Sequence, residues 1–424
     1  MWGATVINNS VKNFLSVCFE LGFSIAPSFI ASIYLARVLD LSEFGLFSIL
    51  YAAHTVAFSF FNGVVIEAFL VLSSGRYAED SLYRNLAYRL VLFFILLLTV
   101  IVFTIYTMVR IVDFWQILSL LYASILINVA YFIRRTLHID GQADVGAVFS
   151  GVMFLMFCLL LWAFHYKEMA SITSTFVAFG TSNFICSLIF YRRMNISLQS
   201  INYRNSVSRL KTHIKYAKWV LLSAIVIQGA SQGYIWIIGV ELSLADLGVY
   251  RAIFTIIMPI ALVCTGLSLT CVPILSAHYA SGDIIGFRKI FRNVMFFSIG
   301  VAFLIYTVIW FFGGWLLDII YAKKFSEYTE MLNILALGAI ATILANPFND
   351  YSKAIERPSR VLAAYVAAAI TTFTIGYYIV IKFTLLGAAW GFVLTNICFG
   401  LVLLIYYFVD QYAPVKAQFK AEKH

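Results

Sequence analysis

The side chains able to do chemistry in this chain are few, and they stand inside long apolar runs. Glu20, His54, Glu67, Arg251 and Asp350 are the ionisable residues so placed. A charge in hydrocarbon is costly and is generally kept for ion or substrate handling. Glu20 and Glu67, each a few residues inside its own apolar run, form the candidate ion-coupling pair. Two carboxylates in one low-dielectric site give a place where a proton is taken up and released. A cation such as Arg134 beside one of them is the alternative. Arg134 and Asp350 fall at equivalent positions of the two halves of the chain and form a candidate gating pair. Arg251 offers a guanidinium fork suited to an anionic group.

Polar residues recur at every fourth place from Lys12 through Ser16, Glu20, Ser24 and Ser28 to Ser32. Residues four apart share a helix face, so the spacing predicts a polar stripe, bent near Pro27. Gln228, Ser231 and Gln232 repeat the pattern later in the chain. We take Glu20, Ser24, Ser28, Gln228, Ser231, Gln232 and Arg251 as the candidate lining of a substrate cavity. Close helix packing through small residues is the other use of the serines. Aromatic clusters such as YIWI at 234–237 are either stacking platforms for a substrate or anchors at the membrane interface.

The elements that must carry these residues are transmembrane helices. The chain has 424 residues, 62% hydrophobic and 12% charged, too little polar surface for a water-soluble domain. Twelve windows near the length of a membrane-crossing helix lie at about 12–36, 44–72, 85–109, 114–137, 145–165, 169–191, 216–240, 246–276, 291–317, 331–354, 360–381 and 386–409. They lack the alternation of barrel strands. The first exceeds a signal-peptide core and is read as a true span. The 6 cysteines fall in these runs with no C-x-x-C spacing and are read as small apolar residues.

Most of the 29 Lys and Arg residues fall on the set of connections that shares a side with both termini. Arg37, Arg110, Lys167, Lys323, Lys324 and Lys382 are on the other set, and Arg251 is within a span. Cytoplasmic loops are rich in cations, so both termini and the basic stretch 192–215 are expected to face the cytoplasm. The net charge of +9 then marks a membrane side and touches anionic lipid, with no nucleic-acid partner required.

The stretch LARVLDLSEFGLF at 35–47 is echoed by GVELSLADLGVYR at 239–251. Leu39, Leu41 and Gly45 recur as Leu242, Leu244 and Gly248. Asp40 with Glu43, and Ser243 with Asp246, have the spacing of a capping box. The glycines permit close helix approach. The chain therefore reads as two six-helix bundles, 1–191 and 216–410, joined by a cytoplasmic linker at 192–215 and followed by a cytoplasmic tail at 411–424. An even number of spans per half predicts pseudo-two-fold symmetry along the membrane normal.

With ARVLDLSEFGLFSIL early and IERPSR late, the chain resembles the polysaccharide transport family of bacterial flippases. These are the Wzx-type O-antigen and oligosaccharide flippases of the multidrug/oligosaccharidyl-lipid/polysaccharide (MOP) exporter superfamily. The resemblance implies an all-α integral membrane protein that carries a polyprenyl-pyrophosphate-linked oligosaccharide to the periplasmic leaflet by alternating access. Its partners would be that lipid-linked sugar, membrane lipids, and a glycan polymerase with its chain-length regulator. A cation-coupled multidrug or toxin antiporter of the same superfamily is the alternative. A membrane-embedded glycan polymerase or glycosyltransferase ranks lower, because the external connections are short. No phosphate-binding G-x-x-x-x-G-K-[ST] loop occurs, so ATP hydrolysis is not expected; G-x-S-x-G and H-E-x-x-H are absent too, and the chain is read as no enzyme and without a cofactor.

Overall fold

Apolar runs fold into helices because hydrocarbon offers no partner for a free backbone N–H or C=O. The computed structural model describes residues 2–74, 77, 80–109, 112–191 and 203–412. Part of the basic stretch (192–202), most of the tail (413–424), Arg76 and Arg110 lie outside the described residues. In chain order the helices are α1 (Trp2–Val38), α2 (Leu41–Phe61), α3 (Glu67–Ser74), α4 (Ser81–Val109), α5 (Phe114–Ile139), α6 (Ala143–Tyr166) and α7 (Ile172–Phe190). They continue with α8 (Tyr203–Glu241), α9 (Leu244–Ala280), α10 (Ile284–Tyr321), α11 (Thr329–Ala354), α12 (Pro358–Thr371) and α13 (Tyr377–Tyr412). Short π-helical turns, Asn62–Ile66 and Thr372–Gly376, join α2 to α3 and α12 to α13. Residues 203–215 of the basic stretch form the first turns of α8.

Among the described residues, 11 helical segments are long and apolar enough to cross a membrane. The chain is a multi-pass membrane protein. One segment, Pro358–Gln411, has 54 residues. At about 1.5 Å per residue it would far exceed a hydrocarbon core of about 30 Å. Thr384 breaks it, with φ 52° and ψ −129°. A Cβ at Gly387 would overlap the carbonyl of Ile379, so the chain folds back tightly there. The sequence windows 360–381 and 386–409 lie on either side of that break, in keeping with twelve spans.

The helices form two compact units. One comprises Met1–Leu39 and Ile49–Ile225, the other Asp40–Ser48 and Val226–His424. Within the first, α5 packs on α7 and α1 on α6; within the second, α11 packs on α13, α9 and α10. Inner and outer helices are told apart by burial. The spans of α5, α7 and α11 are 56%, 61% and 56% buried, against 22% and 17% for those of α4 and α10. The outer helices expose Leu92, Leu96, Phe303 and Phe311, side chains suited to lipid. Aromatic packing fills the first unit, where Phe61, Phe69, Phe94, Phe132 and Phe149 are in one cluster.

The repeated phrase has a local cause. Asp40 Oδ1 accepts the Glu43 N–H at 2.7 Å, and Ser243 Oγ accepts the Asp246 N–H at 3.0 Å. Both are N-caps, and Ser243 with Asp246 completes a capping box. Asp40–Ser48 and the start of α9 belong to the same unit, and there the glycines meet. A Cβ on Gly45 would overlap the carbonyl of Leu244, and one on Gly248 that of Leu41. Only glycine allows two helix ends to cross with backbone against backbone.

Candidate functional site

Each unit buries a carboxylate among polar partners, and the two surroundings differ. In the first unit, Glu20 of α1 is 2% exposed. One of its oxygens is hydrogen-bonded to His138 Nε2, and the other lies 3.9 Å from Arg134 Nη1. Arg134 and His138 are four residues apart on α5, hence on one face. Arg134 also donates to Ser24 of α1 and, at 3.1 Å, to Ser150 of α6. Gly146 of α6 leaves the space: a Cβ there would stand 3.1 Å from Glu20 Oε2 and 3.4 Å from His138 Nε2. The carboxylate is thus met by two α5 side chains, and the guanidinium among them is in turn held by hydroxyls of α1 and α6.

In the second unit, Asp350 of α11 is fully buried. Ser268 of α9 donates to its Oδ1 at 2.6 Å, and Asn346, one turn earlier on α11, donates to Oδ2 at 3.2 Å. The Asn346 amide also lies 3.3 Å from the carbonyl of Cys264. The only cation within 4.0 Å among the described residues is Lys353, whose side chain is 43% exposed. Neutral hydroxyl, amide and carbonyl groups therefore make up the inner surroundings, and the buried charge is negative. Hydrogen bonds from neutral groups hold the carboxylate without cancelling its charge.

The residues marked in the sequence fall as follows. Glu20, Ser24 and Arg134 come together, as the alternative of a neighbouring cation for Glu20 allows. Glu67 is held by Asn62 at 3.2 Å, so the two carboxylates of the candidate coupling pair have different partners. Arg134 and Asp350 each have partners within their own unit, and neither charge needs the other to account for it. Ser28 and Ser32 donate to Ile25 and Ser28 carbonyls, which is local helix bonding. Arg251 is 3% exposed on α9. On α8, Ser231 is exposed, and Gln228 and Gln232 are partly buried. Lys12 lies on α1.

Tyr234 is no stacking platform. It is 2% exposed, its hydroxyl is 2.9 Å from Thr395 Oγ1, and Cβ atoms on Gly376 or Gly391 would overlap its ring. His138, Ser150, Ser268 and Asn346 were not singled out by the sequence. The available signal was spacing: His138 is one turn from Arg134, and Asn346 one turn from Asp350.

The MatE family model matches residues 220–378, under half of the chain. Solved structures extend the likeness to nearly its whole length. An inward-facing multidrug resistance MATE family transporter of the MOP superfamily superposes with TM-score 0.76 at 14% identity, covering 93% of this chain and 96% of that one. A mutant of the Vibrio cholerae MATE transporter VcmN gives 0.63 at 13% identity, covering 97% and 98%. A MOP superfamily transporter from Pyrococcus furiosus Vc1, described as having a binding pocket of reversed polarity, gives 0.68 at 13%, covering 94% of each. The fold is that of the MATE transporters. A search of curated proteins returned no match.

The MatE match and the MATE fold correct the oligosaccharide-flippase reading. The matched model is MatE, and the solved structures of this fold include multidrug transporters. The motif behind that reading carries no sugar chemistry. In RVLDLSEFGLFS, Asp40 caps a helix and Gly45 makes a helix crossing. Both are demands of the fold and are compatible with any cargo.

Proposed function

We propose that this chain is a cation-coupled efflux transporter for drugs or toxins, working in a bacterial inner membrane with both termini in the cytoplasm. The MatE match over residues 220–378 carries the reading, and the MATE fold is consistent with it. Asp350 is the coupling carboxylate in this account. Its charge is buried among neutral donors, with one partly exposed ammonium 4.0 Å away. An uncompensated charge at that depth is unfavourable, so a proton or a small cation binds there with a gain, and its release reverses the gain. Glu20, by contrast, is already met by Arg134 and His138. It holds α1 to α5 and has less to gain from an added cation.

Expression in an efflux-deficient bacterial host tests the reading. The wild type should lower accumulation of an organic cation such as ethidium. Asp350→Asn should reach the membrane in equal amount and lose that effect. If wild-type cells accumulate dye and resist no toxic compound any better than cells with empty vector, the proposal fails.

A further inference from the structure

At one end of the second unit, α9, α10, α11 and α13 surround a small, partly open pocket. Five rings line it: Tyr279 of α9, Phe287 and Phe291 of α10, Tyr351 of α11 and Tyr407 of α13. They brace one another, with centroids 5.7 Å apart for Phe287–Tyr351 and 5.1 Å for both Phe291–Tyr407 and Tyr351–Tyr407. The Tyr351 hydroxyl is engaged by Asp410 Oδ2 at 3.2 Å, so the tyrosine contributes mainly ring surface.

The ionisable side chains other than tyrosine that line the pocket are His278 and Arg288; no carboxylate does. His278 is tied to Asp283, with Nδ1 2.8 Å from its Oδ2. Arg288 is exposed, and its Nη2 donates to a neutral partner, Gln411 Oε1, at 3.3 Å. Among the described residues no carboxylate is ion-paired with Arg288. An apolar slot with an uncompensated guanidinium at its mouth selects an anion with an apolar body. The pocket lies where α9 ends and α10 begins, the side that the cation distribution assigns to the cytoplasm. Lys289, Arg292, Lys353 and Arg357 follow on the same side in the sequence. Such a belt draws anionic headgroups.

We propose that this pocket binds an anionic phospholipid of the adjoining leaflet. Its phosphate is on Arg288, and the first part of an acyl chain lies between the rings. A guanidinium matches phosphate in geometry and charge. The C-terminal segment 413–424 starts beside Gln411 but carries Lys416, Lys420 and Lys423 against one acid, Glu422. Its charge has the same sign as the mouth of the pocket, which argues for lipid as the occupant. Because Tyr351 follows Asp350 on α11, the lipid would touch the helix that carries the buried carboxylate.

Native mass spectrometry of the full chain in detergent tests this, with phosphatidylglycerol and phosphatidylcholine of identical chains and with inorganic phosphate as probes. Phosphatidylglycerol should bind about tenfold more tightly than phosphatidylcholine, the factor one charge-assisted contact supplies. Inorganic phosphate should not displace it. Arg288→Gln should remove the preference, and Lys289→Gln, one residue along and outside the pocket, should keep it. Ile355→Trp, which fills the slot, should weaken both lipids. Equal binding of the two lipids, equal losses in the two charge variants, or displacement by phosphate alone would each overturn the proposal. So would a large gain in lipid binding on truncation after Tyr412, which would make the tail the occupant. The readout is binding, so its failure leaves the transport reading standing.

Discussion

Glu20 and Arg134 illustrate what a buried charge demands. Moving an ion out of water costs several kcal/mol even after relaxation, and removing one partner of a buried pair strands the other at about 3–5 kcal/mol. Glu20→Gln should therefore lower the thermal unfolding midpoint in detergent, and adding Arg134→Gln should recover most of the loss. If the double variant is no more stable than Glu20→Gln, the pair is not what holds α1 to α5. That Glu20 matters was legible in the sequence, because a lone acid in an apolar run stands out. Of its partners, Arg134 was named only as an alternative, and His138 was not singled out. Register along a helix places Arg134 and His138 on one face, but sequence does not say which helix faces them. Glu67 looked equivalent to Glu20 for the same reason, yet Asn62 meets it. Asp350 was legible as a charge, while its donors Ser268 and Asn346 read as ordinary polar residues of two helices.

Helix ends carry much of the information that the sequence does reveal. The capping spacings at Asp40 and Ser243 were readable, and both form. Gly45 and Gly248 were readable as close-approach sites, and their backbones do meet the carbonyls of Leu244 and Leu41. Gly45→Ala or Gly248→Ala should destabilise by about 1–3 kcal/mol, the usual cost of overpacking. Gly266→Ala on α9, where nothing stands within 4 Å, should be neutral or gain up to about 1 kcal/mol from helix propensity. Equal unfolding midpoints for all three variants would contradict the crossing. The N-terminus of α10 supplies a pH test. Asp283 accepts the Gly286 N–H at 2.9 Å, and this bond, with that to His278, holds its carboxyl below the ordinary aspartate value of 3.8. A lowered folded value means that the ionised form is favoured by folding. The cap is intact above that value and is lost as pH falls through the lower one. Amide exchange at Gly286, corrected for intrinsic rate, should quicken only in that acid window, and an increase at neutral pH would rule this out.

At the scale of the molecule, the twelve-span, all-helical architecture followed from hydropathy alone, because a membrane leaves the backbone so few choices. Even the break at Thr384 fell in the gap between two predicted windows, although its backbone conformation left no mark in the sequence. Cargo was not legible. The duplicated phrase is shared by the needs of a helix crossing, and the residues that meet a substrate obey no comparable spacing rule. The account rests on Asp350 as the exchangeable charge of an efflux transporter. Its most direct test is uptake of an organic cation such as ethidium into proteoliposomes against an imposed proton or sodium gradient. The wild type should concentrate the dye only while one of these gradients is present, and Asp350→Asn, folded and reconstituted equally well, should fail to do so. Gradient-driven uptake of the same size by Asp350→Asn would contradict the account.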